Sequence, residues 1–138
     1  MTRVVALLVA VLLAGAQAPG WQSFSRDGIS LSASADSKQE TTQGGWRLHN
    51  PRFTLLIRSG QGVSDADDSE PPVCYHAQEI AVDGRTGRLR VARKHVRLDC
   101  PENYASLYLP GLFVAIQAQD WDDLAEAREV IATLKLTP

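Results

Sequence analysis

The sequence predicts an α+β fold, a mostly antiparallel β-sheet with a C-terminal helix packed on one face. Two observations lead to this prediction. Apolar and polar residues alternate with period two through most of the chain, as half-buried strands require. A helical period appears only near the end, where an apolar stripe follows Asp120, Asp122 and Asp123. One helix is therefore expected to cover one face of a sheet.

Residues 1–18 are predicted to be a secretory signal peptide. Arg3 precedes an uninterrupted run of small and apolar residues, and this run is too short to span a membrane as a helix. Small residues in two frames are compatible with cleavage after Ala18 or after Ala16. The rest of the 138-residue chain, 19–138, has a length typical of a single small globular domain. We expect a periplasmic or secreted protein with no stable membrane anchor.

The first strands are predicted in order along the mature chain. Residues 29–35 alternate apolar side chains with serines, and the polar residues 36–45 are predicted to form a loop. Apolar residues alternate again in 46–49 and in 53–58. A turn at 50–51 joins these two segments, which predicts a hairpin.

The next hairpin carries the strongest concentration of positive charge. An acidic loop at about 60–72 precedes it, and its strands are predicted at 73–82 and 88–98 around a turn at 83–87. The apolar positions of the second strand begin odd and end even, so a β-bulge is expected at 92–94. With that bulge, the basic side chains of the second strand share one outward face. We call these residues, with the arginine of the turn, the basic ridge: Arg85, Arg88, Arg90, Arg93, His95 and Arg97.

The two cysteines, Cys74 and Cys100, are predicted to form a disulfide. The bulge would place both at the open end of this hairpin and on one face. An exported chain enters an oxidising compartment, where an even pair of cysteines is expected to be bridged. Two free buried thiols are the alternative.

Two further extended segments and the helix complete the domain. Residues 105–109 and 112–119 are separated by a proline–glycine pair that prefers a type II turn, so a bend within one strand competes with a new hairpin. The helix is predicted over 121–135, with Asp120 as its N-cap. Its apolar stripe is expected to lie across the sheet.

This succession of elements resembles the Mog1/PsbP-like α/β domain. The resemblance rests on an opening strand at 28–33, a strand that ends with Val-Asp-Gly at 82–84, a late strand of small apolar residues, and a closing helix within 120–136. It implies a domain found in bacterial envelope proteins and in some periplasmic immunity proteins. The helix usually found between the early and middle strands has no counterpart in 64–70. The resemblance transfers no functional residue.

The sequence contains no catalytic, metal-binding or phosphate-binding motif. His49, His76 and His95 are far apart, and none has metal-ligand spacing to a second ligand. His76 and Glu79 would face opposite sides of a strand, which argues against acid–base work by this pair. We therefore predict no catalytic residue, no metal and no cofactor.

The distribution of charge directs the functional interpretation. The chain has a net charge of −2, which argues against general polyanion binding, and an exported protein is not expected to bind nucleic acid. A planar array of guanidinium groups on a rigid hairpin instead fits another protein with an acidic surface. The basic ridge is thus either such a docking face or a solvated outer face of the sheet.

We predict a non-enzymatic exported binding protein of the bacterial envelope. An immunity or inhibitor role toward a partner protein is the most specific interpretation. The alternative is a small periplasmic enzyme, or an accessory factor, that acts on envelope components. A pocket that holds a buried titratable group with a perturbed pKa would favour the enzyme, whereas an exposed ridge would favour the binding protein.

Overall fold

The computed structural model describes residues 20–60, 63, 72–94 and 98–137. The predicted signal peptide and most of the predicted acidic loop lie outside the described residues, and so do His95 and Arg97 of the basic ridge. Within the described residues, the predicted fold class is confirmed, because antiparallel strands dominate and a C-terminal helix packs against a sheet.

The described chain contains ten strands and one α-helix. The strands are β1 (Trp21–Arg26), β2 (Ile29–Ser34), β3 (Lys38–Thr42), β4 (Gly45–His49), β5 (Phe53–Ser59), β6 (Tyr75–Val82), β7 (Arg85–Ala92), β8 (Tyr104–Leu109), β9 (Leu112–Ala118) and β10 (Lys135–Leu136). The helix, α1, spans Trp121–Ala132, and a 3₁₀ turn at Pro72–Cys74 leads into β6. The predicted strands at 29–35, 46–49, 53–58, 105–109 and 112–119 are confirmed with small shifts at their ends.

The strands form two antiparallel sheets. The larger has seven strands in the order β3-β4-β5-β9-β8-β7-β6, and the smaller has three in the order β1-β2-β10. Asp83 and Gly84, at φ 51° and 75°, form a two-residue turn between β6 and β7, shorter than the predicted turn at 83–87. The proline–glycine pair closes a new hairpin, because Leu109 pairs directly with Leu112.

The core lies between one face of the seven-stranded sheet and a covering layer of α1 and β2. We call this face the inner face. Asp120 caps α1, since its Oδ1 accepts a hydrogen bond of 2.8 Å from the Asp123 N–H. The predicted apolar stripe of the helix is buried against the sheet. The buried side chains of the covering layer are Ile29, Leu31, Ala33, Leu124, Ala127, Val130, Ile131 and Leu134. The buried residues beneath them include Trp46, Leu48, Phe53, Leu55, Ile57, Leu107, Leu109, Val114 and Ile116.

The prediction of a loop over 36–45 is wrong, because Lys38–Thr42 forms the edge strand β3 and pairs with β4. Its sequence, KQETT, contains no apolar residue, so it shows no hydrophobic alternation. The strand is held by its backbone ladder instead of by buried side chains. For a related reason β1 was not predicted, since only Trp21 and Phe24 of this strand pack against the core.

The predicted strand over 88–98 is confirmed only as far as Ala92, where β7 ends, and the β-bulge expected at 92–94 is wrong. The Arg93 N–H donates to the Cys74 carbonyl at 2.7 Å, which is the last rung of the ladder. The chain then has to turn back, because Cys100 is bonded to Cys74. Leu98 is exposed in that connection. Its even-numbered position therefore does not indicate a side chain on the buried face of a strand.

The helix ends earlier than its predicted limit at residue 135. Thr133 forms the C-cap, and its hydroxyl accepts a hydrogen bond of 2.8 Å from the Ser32 N–H of β2. This contact directs the chain toward the smaller sheet, where Lys135–Leu136 forms β10 and pairs with β2.

The predicted disulfide between Cys74 and Cys100 is confirmed, with an S–S distance of 2.03 Å and a Cα–Cα distance of 5.3 Å. It joins the 3₁₀ turn before β6 to the connection that leads into β8. Both cysteines are buried in a small cluster with Tyr75 and Ala92. The ring of Tyr75 meets that of Tyr104 edge to face, with centroids 6.1 Å apart.

Removal of the disulfide is expected to lower the stability of the protein. The double variant Cys74→Ala/Cys100→Ala should lose about 3 to 4 kcal/mol of unfolding free energy, because the bridge closes a loop across 26 positions in the unfolded chain. Urea unfolding of the two proteins measures the difference. Reduction of the native protein is the control and should give a similar loss. A loss well under 1 kcal/mol, on the order of a surface substitution, would contradict this role.

Candidate functional site

The face of the seven-stranded sheet that points away from α1 is the first candidate surface. We call it the outer face. Among the described residues, no helix or strand packs on it, since α1 and β2 both lie on the inner face. Antiparallel register places its side chains in rows that run across the strands.

Two rows of side chains on the outer face each begin and end with an arginine. The first row runs from β7 to β5 through Arg88, Tyr108, Phe113 and Arg58. The second runs from β7 to β4 through Arg90, Ser106, Ala115, Leu56 and Arg47. The rows are adjacent and parallel. They therefore form a cationic and aromatic surface on rigid backbone.

The arginines and aromatic rings of the outer face pack on one another. The guanidinium carbon of Arg58 lies 5.7 Å from the centroid of the Phe113 ring, within the range of a cation–π interaction. Phe113 is only 4% exposed although it lies on the outer face. Arg47 donates a hydrogen bond of 2.9 Å to Glu40, and His49 also pairs with Glu40. Neighbouring side chains thus hold Arg47 and Arg58 in place.

The structure divides the basic ridge that the sequence predicts. Arg88 and Arg90 lie together on the outer face. Arg85 is directly opposite Val82, and this register places it on the inner side of the sheet. Arg93 lies beyond the end of β7, where its Nε donates a hydrogen bond of 3.1 Å to the Tyr75 carbonyl. The described ridge residues therefore do not form a single array, because Arg85 lies on the opposite side of β7 and Arg93 lies beyond its end.

Arg47 and Arg58 are members of the surface that sequence reasoning missed. Both alternate with buried apolar neighbours, so the alternation indicated that they point outward. It did not indicate that β4 and β5 lie on the same sheet as β7, with two or three strands between them. Strand order was the missing information.

The outer face is basic although the chain as a whole is acidic. Its strands present the cations Lys38, Arg47, Arg58, Arg88 and Arg90 against the anions Glu40 and Glu79. The hydrogen bond from Arg47 is the main cause that lowers the pKa of Glu40, so this carboxylate is ionised at neutral pH. The chain has a net charge of −2. The protein is therefore electrically asymmetric.

A groove on the inner side of the sheet is the second candidate surface. It has a volume of about 440 Å³ and lies between α1 and the strands β6 and β7 at one edge of the sheet. Its apolar lining includes Ile80, Leu89, Ala125 and Ile131. A smaller depression of about 280 Å³ adjoins it near the start of the helix. There the Lys94 ammonium lies 5.2 Å from the centroid of the Trp121 ring.

The most perturbed pKa values belong to a charge network at one end of the core. Arg52 donates to Asp36 at 2.9 Å and to Glu126 of α1 at 2.8 Å. The hydrogen bond from Arg52 is the largest cause that lowers the pKa of Asp36 to about 2. Both carboxylates raise the pKa of Arg52. Since the network joins the turn after β2, the start of β5 and the helix, its role is to fix the covering layer on the sheet.

His76 and Glu79, the pair considered for acid–base work, do not face each other. His76 lies on the inner side of β6 and Glu79 on its outer side, as predicted. Within the described ranges, no three His, Cys, Asp or Glu side chains are grouped closely enough to hold a metal ion. In the same residues, no helix is long and apolar enough to cross a membrane.

Compared with known proteins, the chain matches no family model and no curated protein. The resemblance to the Mog1/PsbP-like domain therefore stays a prediction. The residues at 64–70, where that domain usually has a helix, lie outside the described residues.

Loss of the Arg52 network should change the acid stability of the protein. In the folded state the pKa of Asp36 lies below its ordinary value of 3.8, so its contribution to stability is present above pH 3.8 and is lost as the pH falls toward 2. Arg52→Gln should return this pKa toward 3.8 and flatten the pH dependence of unfolding free energy in this range. NMR titration and urea unfolding measure the two effects.

Arg26→Gln is the matched control, because Arg26 contacts the hydroxyl of Thr41 instead of a carboxylate. It should keep the native pH profile. An unchanged Asp36 pKa in Arg52→Gln would show that Arg52 does not hold this carboxylate.

Proposed function

We propose that this chain is a binding protein of the bacterial envelope that docks an acidic partner protein on its outer face. The observation that carries the proposal is the pair of arginine rows, which begin at Arg88 and Arg90 and end at Arg58 and Arg47. In the most specific form of the proposal, docking neutralises the partner, as an immunity or inhibitor protein would do.

The chemistry of the outer face suits a protein partner. Each guanidinium presents a planar fork of donors that pairs with a carboxylate through two hydrogen bonds. Tyr108 lies between the arginines of the first row, is partly exposed and offers aromatic area of the kind enriched in protein interfaces, whereas Phe113 is buried beneath Arg58. Because the rows are built on strands, the surface is already arranged before it meets a partner.

The proposed compartment rests on two features. The signal peptide predicted at 1–18 would export the chain, and the Cys74–Cys100 disulfide is typical of an oxidising compartment. A periplasmic or secreted binding protein accounts for both the predicted signal peptide and the disulfide.

Electrostatic attraction between a basic face and an acidic partner would also accelerate their encounter.

Charge reversal on the outer face is expected to weaken docking strongly. The double variant Arg88→Glu/Arg90→Glu should lower the affinity for a captured partner by at least about a hundredfold, because like charges would then meet at the interface. The melting temperature should change little, since exposed ion pairs contribute only about 0 to 1 kcal/mol each. Affinity capture from periplasmic extract, followed by calorimetry with the identified partner, measures these effects.

The matched control is Arg26→Glu/Lys135→Glu, which makes the same change in net charge on the smaller sheet. It should bind like the native protein. Native binding should weaken as salt rises, because screening acts over about 8 Å at physiological ionic strength. If the double variant at Arg88 and Arg90 folds and still captures the partner with native affinity, the outer face has no role in docking.

A further inference from the structure

Strand β6 is an edge strand of the seven-stranded sheet. Among the described residues, no strand pairs with the edge that points away from β7. Hydrogen-bonded pairs alternate along an antiparallel ladder, and the bond from the Arg93 N–H to the Cys74 carbonyl belongs to that series. Even-numbered residues of β6 therefore bond to β7. The N–H and C=O groups of Ala77, Glu79 and Ala81 point the other way, where no described strand pairs with them.

The first outward carbonyl of this edge has a partner that confirms the phase. The Tyr75 carbonyl accepts a hydrogen bond of 3.1 Å from the Nε of Arg93. This side chain closes the edge at its N-terminal end. The stretch that begins at Ala77 has small or uncharged residues on either side of Glu79, and it contains none of the lysines or prolines that commonly protect edges from pairing.

The opposite edge of the sheet is shorter, carries a lysine and has neighbours at its side. Strand β3 has only five residues and carries charge at Lys38 and Glu40. Residues of β1 contact it from the side, since the Gln39 amide donates to the Ser25 carbonyl at 3.1 Å and Arg26 donates to Thr41. One edge of the sheet is thus protected, whereas at the other edge no strand of the described chain pairs with the eight residues of β6.

A strand added to β6 would meet two different chemistries on its two sides. Its inward side chains would enter the apolar groove beside Ile80 and Leu89. Its outward side chains would lie next to Ala77, which is directly opposite Arg90. The added strand and β7 would lie on opposite sides of β6, each about 4.8 Å from it. Because Ala77 is small, a carboxylate on the added strand could reach over it and pair with Arg90. The edge therefore suits an extended segment in which apolar and acidic residues alternate.

We propose that the edge of β6 is a β-augmentation site for an extended segment of the partner protein, with alternating apolar and acidic residues. This proposal rests on the function proposed above, because it uses Arg90 as the pairing group, whereas Glu79 stands between the edge and Arg88. It adds that backbone hydrogen bonds to Ala77, Glu79 and Ala81 hold the partner. The apolar groove beside α1 then selects every second side chain of the segment.

A synthetic eight-residue peptide of alternating valine and glutamate is the probe, matched in length to β6. It should bind the native protein and slow amide exchange at Ala77, Glu79 and Ala81. Ala81→Pro removes an outward N–H while it leaves the ladder to β7 intact, and it should weaken binding by about tenfold or more. Gln39→Pro removes an outward N–H on the protected edge, together with the side-chain bond to Ser25, and should bind like the native protein.

A counterpart peptide of alternating valine and lysine should bind at least tenfold more weakly, by about 1.4 kcal/mol or more. Peptide binding without exchange protection on β6 in the native protein would overturn the proposal, even if Ala81→Pro failed to fold. No binding of the glutamate peptide would also overturn it. Sedimentation that finds a native dimer lost in Ala81→Pro would assign the edge to a second copy of this chain, which is again a contradiction.

The two proposals fail in different ways. If Arg88→Glu/Arg90→Glu abolishes peptide binding while Ala81→Pro does not change it, the outer face is a docking surface and the edge is not. If Ala81→Pro weakens binding while the arginine variant does not, the edge binds a strand, and the proposed acidic docking on the outer face is wrong.

Discussion

The widths of the two layers constrain the rest of this structure. Seven strands about 4.8 Å apart form a sheet close to 29 Å wide between its outermost strands, whereas a helix with its side chains is only about 10 to 12 Å across. Helix α1 packs mainly on β9 and β5, and β2 extends the cover beside it. The cover therefore stops short of β6. The groove and the open edge exist because the covering layer is narrower than the sheet.

The disulfide acts on this open side of the sheet. Cys74 lies immediately before β6, and its bond to Cys100 obliges the chain to turn soon after Ala92. The hairpin of β6 and β7 is thereby fixed at its open end, while Asp83 fixes the other end by accepting a hydrogen bond of 2.8 Å from the Leu136 N–H. An edge strand held at both ends loses little further conformational freedom when a new strand pairs with it.

The outer face and the edge are adjacent surfaces that use the same arginines. Arg88 and Arg90 belong to the strand next to β6, and Glu79 is directly opposite Arg88. A partner that reaches these arginines from the face or from the edge would meet the same positive charge. The inner groove is apolar on its floor at Ile80, Val82 and Leu89, while Asp83, Arg128 and Glu129 also line it. Recognition would then combine charge on one side of a strand with apolar burial on the other.

The sequence by itself determined the local features of this protein. Period-two alternation identified β2, β4, β5, β8 and β9, and the helical stripe with Asp120 identified α1. The predicted signal peptide together with an even pair of cysteines indicated the bridge. These signals lie within short segments or in side-chain chemistry. The polar edge strand β3 was missed, because a backbone ladder alone leaves no hydrophobic pattern. The bulge after Ala92 was wrongly inferred, because apolar residues in an exposed connection imitate a strand.

Only the tertiary structure decided which strands are neighbours, and the candidate surfaces depend on that order. Arg47 and Arg58 join Arg88 and Arg90 because β9 and β8 lie between β5 and β7. Arg85 separates from them because its register places it on the inner side of β7, and Arg93 because β7 ends at Ala92. Strand order is set by long-range pairing and by the shape of the covering layer, and neither leaves a periodic signal in a short window of residues.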